Sequence, residues 1–258
     1  SMRIDWTPLK AELALWRRAD LELPVWWRDD DAVAATPAWE RLTALAKDVN
    51  IPVHLAVIPH FAEASLSAVI ASETTLIPVV HGWQHVSHAP EGQKNAEFGQ
   101  LRKEAEAELR QAIAQLNEEF GSRPLSLFVP PWNRIEPRLL PVLAEFGYAG
   151  VSTYGPREVS FDAPDIVQVN THIDPIYWRG HRGLVPPEKL LADIVGTLRD
   201  RREGRTDVAE PLGLLTHHLV HTDDVWDFSR DVMRVLLDGG ATPADLRALL
   251  YAGRSPNN

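Results

Sequence analysis

Short apolar runs recur along the chain, and each closes on a change of pattern. They are "PVWW" at 24–27, "IPVHLAVI" at 51–58, "TLIPVV" at 75–80, "PLSLFV" at 124–129, "YAGVS" at 148–152, "DIVQV" at 165–169 and "PLGLLT" at 211–216. All are of strand length. Near-continuous apolar character implies strands buried on both faces, as in a parallel sheet covered by helices. Helical patterns separate most of them. The clearest is "NAEFGQLRKEAEAELRQAIAQLNEEFG" at 95–121, where Leu101, Leu109, Ile113, Leu116 and Phe120 form an apolar stripe and Gly121 stands where a helix stops. Thr7-Pro8, Thr36-Pro37 and Thr242-Pro243 each precede a further helical pattern, with Thr as cap and Pro in the first turn. Seven such units over residues 1–258, with no break in composition, predict one barrel-like α/β domain. "RDRREGRTD" at 199–207 reads as a solvated helix end and loop.

Composition narrows the partners. With 258 residues the chain can bury a sizeable core, and 45% hydrophobic and 24% charged residues are ordinary for a globular protein. A formal charge of −10 gives no general attraction for nucleic acid or an anionic membrane, so neither is expected as a partner. The absence of cysteine excludes disulfides and thiolate metal sites. The start, "SMRIDWTPLKAELALW", has no apolar core of signal-peptide type, and no run is long enough to span a bilayer. A cytoplasmic address is therefore expected.

The polar residues gather at strand ends. Asp29, Asp30 and Asp31 follow the first run, His60 the second, His81 and His85 the third, and Pro130, Pro131 and Trp132 the fourth. His172 follows the sixth, and His217 and His218 the seventh. In a parallel barrel these ends meet at one mouth, where such barrels keep their chemistry. In "WWRDDDA" at 26–32 three adjacent carboxylates repel, by up to about 4 kcal/mol for a pair about 4 Å apart at an effective dielectric near 20. A divalent cation would relieve that repulsion; the plain alternative is a loop of solvated acids. In "HGWQH" at 81–85 the histidines are four apart, sharing a face if the segment is a helical turn. Two imidazoles and a carboxylate form a common ligand set for zinc and also for non-haem iron.

Taken in order, Asp30-Asp31, His81 to His85, the long helix, "VPPWN" at 129–133 and Leu215-Thr216-His217 resemble the motifs of the polysaccharide deacetylase family, carbohydrate esterase family four, over about residues 22–222. The resemblance implies a distorted (β/α)7 barrel with mostly parallel strands. It also implies metal-dependent hydrolysis of an N-acetyl group on a carbohydrate or related small amide. Carried over by position, Asp31 binds a divalent metal, zinc foremost, with His81 and His85; Asp30 is the general base, His217 the general acid, and the Trp132 backbone N–H helps hold the oxyanion. Trp83, Pro131, His60 and Arg28 are the candidates for substrate contact. Trp83 and Trp132 are read equally well as sugar-stacking platforms or as packing under the metal site.

The sequence also departs from the family pattern. The arginine that orients the base falls on Val129, and Arg28 or Arg134 is expected to replace it; Arg28, two residues before Asp30, shares its strand face. Ala32 stands for the family's glycine, and Asp29 admits a second register, Asp29-Asp30. The nearness of Ala32 favours Asp30-Asp31. Leu215 and His217 share a strand face, favouring His217 over His218. His54, inside a strand, reads as a hydrogen-bonded core histidine, while His88 and His221 read as loop residues. His172 is a further candidate for substrate contact, and Asp174 and Trp178 are candidates to buttress the site. Two other functions stay open: a carbohydrate-binding or regulatory protein that keeps the metal without turnover, and a non-haem iron oxygenase.

Overall fold

All seven runs form strands in the computed structural model, which describes residues 3–158 and 163–251. They are β1 (Pro24–Ala32), β2 (Val53–Val57), β3 (Leu76–His81), β4 (Leu127–Val129), β5 (Gly150–Val151), β6 (Val167–Gln168) and β7 (Leu212–Thr216). Every pairing is parallel, in the order β6-β5-β4-β3-β2-β1-β7. The chain beyond β6 closes the ring irregularly: Ile173 bridges Leu214, and Leu215 N–H donates to the Ile173 carbonyl at 2.8 Å. The architecture is thus a distorted parallel barrel. Thr242-Pro243 adds a two-residue strand, β8, on β1.

Helices α1 (Thr7–Arg18), α2 (Pro37–Val49), α3 (Ala64–Ser72), α4 (Ala105–Phe120), α5 (Leu140–Glu145), α6 (Pro187–Arg202), α7 (Asp223–Asp238) and α8 (Leu246–Tyr251) complete the chain. Strand alternation divides the core in two. Trp26, Ala56, Ile77, Val79, Leu127 and Val129 point to the barrel interior, and Leu246 and Leu250 of α8 join that cluster. Trp27, Val53, Leu55, Val57 and Val80 face outward and pack with the helices. Among the described residues no helix is long and apolar enough to cross a membrane.

Thr242-Pro243 forms β8 rather than the cap and first turn of α8, which begins at Leu246, and three further expectations change. First, β1 does not end at Trp27 but runs through all three aspartates. Second, the helix predicted from 95 begins only at Ala105; before it, Glu97 and Phe98 are buried, whereas Leu101, assigned to the apolar stripe, is half exposed. Third, the charged stretch at 199–207 is not wholly solvated. Arg201 is buried and its guanidinium donates to the Glu210 carbonyl, while Arg202 pairs with Glu12.

His54 is a core histidine. Its Nδ1–H donates to the Trp27 carbonyl and its Nε2 accepts the Leu246 N–H, both at 3.0 Å, fastening α8 to the barrel. Burial pushes its pKa down to about 4. Above its ordinary 6.5 the ring is neutral in both the folded and the unfolded chain. Between 6.5 and about 4 the unfolded chain takes a proton that the folded protein refuses, so stability falls with pH, by about 3 kcal/mol in all. Urea unfolding between pH 7 and pH 4 should show this slope in the wild type and a shallower one in His54→Gln, the remainder belonging to groups such as His221, which burial also pushes down to about 4. Equal slopes in both would assign the pH dependence to other groups.

Candidate metal centre

The strand ends surround a cavity of about 800 Å³, with Asp30, Asp31, His81, His85, Trp132 and His217 on its wall. Asp31 Oδ1 lies 2.9 Å from His81 Nε2 and 3.3 Å from His85 Nε2. The three residues offer ligand atoms within 4.8 Å of one another, a group to which His88 does not belong.

A bulge creates this arrangement. Regular alternation would send Asp29 and Asp31 to one face and Asp30 to the other. The β1–β2 register shifts between Asp30 and Ala32, and Asp31 takes φ 76°, turning its carboxylate toward the cavity beside Asp30. Asp29 stays on the helix side, fully buried. There its Oδ2 accepts the Thr216 hydroxyl at 2.6 Å and the His218 N–H at 3.0 Å, and its Oδ1 bonds His218 Nδ1. Asp30 and Asp31, not Asp29, therefore line the cavity, as does His217, while His218 lies on the helix side with Asp29. Against burial, the His218 charge holds Asp29 below the usual carboxylate range, and Asp29 in turn raises His218.

The histidine segment is no helical turn. Gly82 (φ 61°) and His85 (φ 57°) are left-handed, and residues 82–88 form an irregular bend that swings His85 back over His81. Among the described residues seven non-glycines have left-handed backbone; five of them, Asp31, His85, Trp132, Asn133 and Arg182, line this cavity. Such conformations cost about 1–3 kcal/mol each and cluster where function demands them.

The donors suit a divalent ion. His81 Nδ1–H donates to the Val129 carbonyl at 2.9 Å, which fixes the tautomer and leaves Nε2 to coordinate. Burial opposes it, but the Asp30 and Asp31 charges raise the His81 pKa, so these carboxylates favour positive charge at this point. Burial also works against ionised Asp31, yet the His81 hydrogen bond and the neighbouring imidazoles keep its carboxyl well below the usual range. Burial and then the His81 charge push His85 down, toward the neutral form a ligand needs. The Trp132 ring packs on His85 with centroids 4.4 Å apart.

Asp30 stands between the imidazoles: its Oδ2 is 3.9 Å from both His81 Nε2 and His217 Nε2. Arg28, fully buried, grips both its oxygens at 2.9 and 3.0 Å and also donates to Asn133 Oδ1 and Ser152 Oγ. Of the two arginines expected there, Arg28 reaches Asp30, while Arg134 donates to the Asn95 carbonyl. His217 is fixed through its backbone N–H, which donates to His221 Nε2 at 3.0 Å, and by the Trp178 ring, 4.7 Å away edge-on. Trp178 Nε1–H donates to Asp174 at 2.8 Å, so these two do stand beside His217; burial raises the Asp174 pKa.

The residues expected at the substrate fall elsewhere. None of Trp83, Pro131, His60 and Arg28 is on the cavity wall. Because the segment after His81 bends rather than forming a helical turn, Trp83 folds inward, is buried, and packs against His60 with ring centroids 5.0 Å apart. Pro131 is buried against Gly82, and Arg28 lies behind Asp30. His172 does line the cavity, but both its nitrogens are used, Nδ1 by the Gly213 N–H and Nε2 by Glu210. The exposed aromatics at the cavity are Tyr154 and Trp178. Ser152 and Glu97, both bonded to the site, belong to no motif that sequence reasoning singled out, and Asn133, the last residue of "VPPWN", was given no role there.

The curled parallel barrel is the fold of family 4 carbohydrate esterases and polysaccharide deacetylases. The family 4 carbohydrate esterase from Streptomyces lividans, solved with acetate, superposes with a TM-score of 0.53 at 13% identity, covering 88% of this chain and 94% of that one. The family 4 acetyl xylan esterase from Clostridium thermocellum, solved with cobalt, gives 0.53 at 15%, covering 88% and 89%. A family 4 pseudoenzyme from Bacillus anthracis gives 0.57 at 12%, covering 89% and 66%. Neither a family model nor a curated protein matches the sequence. At these identities the likeness carries the fold.

Proposed function

We propose that the protein is a metal-dependent deacetylase that hydrolyses the N-acetyl group of a carbohydrate or related small amide. One observation carries this reading. Asp31, His81 and His85 converge on a cavity that also holds a carboxylate, Asp30, and a histidine, His217, whose Nε2 lies 3.9 Å from Asp30 Oδ2. In this reading Asp31, His81 and His85 hold the ion, zinc foremost. When bound, it polarises the acyl carbonyl and acidifies water.

Asp30 takes the proton from the attacking water. Arg28 keeps that carboxylate oriented and so takes the place of the family arginine that falls on Val129. His217 gives a proton to the departing nitrogen, which leaves well only when protonated. The Trp132 N–H is the donor assigned to the developing oxyanion. Tyr154 and Trp178 offer aromatic faces to a sugar ring. The solved esterase with acetate and the acetyl xylan esterase, itself solved with cobalt, support an acetylated carbohydrate as substrate class.

The experiment is acetate release from a panel of N-acetylated sugars, with metal content measured on the same protein. Chelation should abolish release and zinc should restore it. Metal-loaded protein that binds sugar but releases no acetate would instead make this a binding protein without turnover. Iron as the native metal, with oxygen consumption, would make it an oxygenase.

A further inference from the structure

We propose that Glu97 is the positioning residue of the metal centre. It shapes the bend between the two histidine ligands and supplies the buried negative charge that balances the bound ion. The proposal rests on the metal reading of Asp31, His81 and His85.

Glu97 is 1% exposed, and its carboxylate is aimed at the backbone of the histidine segment. Its Oε1 accepts the Trp83 N–H at 2.9 Å, and its Oε2 accepts the Gln84 N–H at 2.8 Å and the Val86 N–H at 3.4 Å. Three amides of one bend thus converge on one carboxylate, a nest closed by a side chain from outside the segment. Without that anion, three buried or half-buried N–H groups would lose their acceptor, and the bend that brings His85 back to His81 would lose its reason to form. The fit is tight from both sides. A Cβ at Gly82 would lie 2.2 Å from Glu97 Oε1 and 2.5 Å from Pro131 Cγ, so position 82 has room only for glycine.

Glu97 is itself anchored. Ala96 N–H donates to Ser87 Oγ, His88 N–H donates to the Ala96 carbonyl, and Arg102 Nε–H donates to the Glu97 carbonyl. The next residue, Phe98, is fully buried against Phe128. These contacts explain why residues 95–104 stay out of the helix that follows.

The charge balance points the same way. Asp31 offsets one of the two charges of a divalent ion, while the charge of Asp30 is already met by Arg28. One positive charge is left over. No ion pair with a cationic side chain occupies Glu97 among the described residues; its hydrogen bonds go to backbone amides of the histidine segment. Long-range attraction in a buried site is weakly screened, so this carboxylate favours the loaded state without touching the ion.

The test is zinc titration of metal-stripped wild type and E97Q against a competing chelator, with thermal unfolding of each protein bare and loaded. E97Q keeps the size and one acceptor oxygen but loses the charge and turns an N–H₂ toward the amides. Zinc affinity should fall by roughly ten- to hundredfold, the range typical for partners behind metal ligands. The melting-temperature gain on adding zinc should shrink with it. Equal affinity in both proteins, with bare and loaded melting temperatures lowered by the same amount, would make Glu97 merely structural and overturn the proposal. Should E97Q fail to fold, hydrogen exchange of metal-free wild type decides: slow amides at Trp83, Gln84 and Val86 support a bend preset by Glu97, and fast ones overturn it. A wild type that takes up no divalent ion would remove the metal reading itself, a result distinct from unequal binding by the two proteins.

Discussion

Replacing Asp30 with asparagine is expected to lower turnover by roughly 10²- to 10⁴-fold, the usual contribution of a positioned general base, while the metal stays bound. Asparagine keeps the size of the side chain and an acceptor for Arg28, so the strand end is not remodelled. The group of ligand atoms does not include Asp30, whose nearer oxygen stands 3.9 Å from His81 Nε2. Asp31→Asn is the control: it strips an anionic donor shared by both histidines and should lose metal and turnover together. Acetate release and metal content, measured on the same preparations, separate the two. Loss of metal from D30N to the extent seen in D31N would make Asp30 a ligand, and unchanged turnover would remove it from the chemistry.

The difference between these neighbouring aspartates shows what the sequence carries and where it stops. The seven strands were legible because continuous apolar runs such as 53–57 and 76–80 have no stable place except between two covered faces. The histidines and aspartates were legible as a set because a parallel barrel brings its strand ends together. Which way each side chain turns was not. Period-two alternation alone places Asp31 with Asp29, away from the cavity; only the bulge at Asp31, with no glycine to announce it, reverses this. The same holds for Trp83, which a helical turn would not have folded inward between the histidines. Glu97 and Ser152 were illegible for another reason. They act on residues 11 to 124 positions away through hydrogen bonds alone, and nothing in their local pattern marks them.

Arg28 bears the largest structural consequence. It is a fully buried guanidinium whose Nε and Nη2 fork onto both oxygens of Asp30, with Asn133 Oδ1 at 2.7 Å and Ser152 Oγ at 2.9 Å as further acceptors. Arg28→Met should cost about 3–5 kcal/mol in urea unfolding, because it leaves the buried Asp30 carboxylate without its cation. That is a large part of the about 5–15 kcal/mol that holds a typical domain folded. Arg28→Lys should recover little, since one ammonium cannot serve a bidentate carboxylate and two acceptors in different directions. Removing both charges in Arg28→Met/Asp30→Leu should recover much of the loss, as an apolar pair needs no compensation. If the double variant is as unstable as the sum of its parts, the pair is not coupled and Arg28 holds the barrel through Asn133 and Ser152 instead. If the double variant regains stability and stays inactive while Arg28→Lys folds but turns over slowly, the two effects separate. The arginine then stabilises the fold by neutralising Asp30 and serves the reaction by aiming it, which a lysine does only in part.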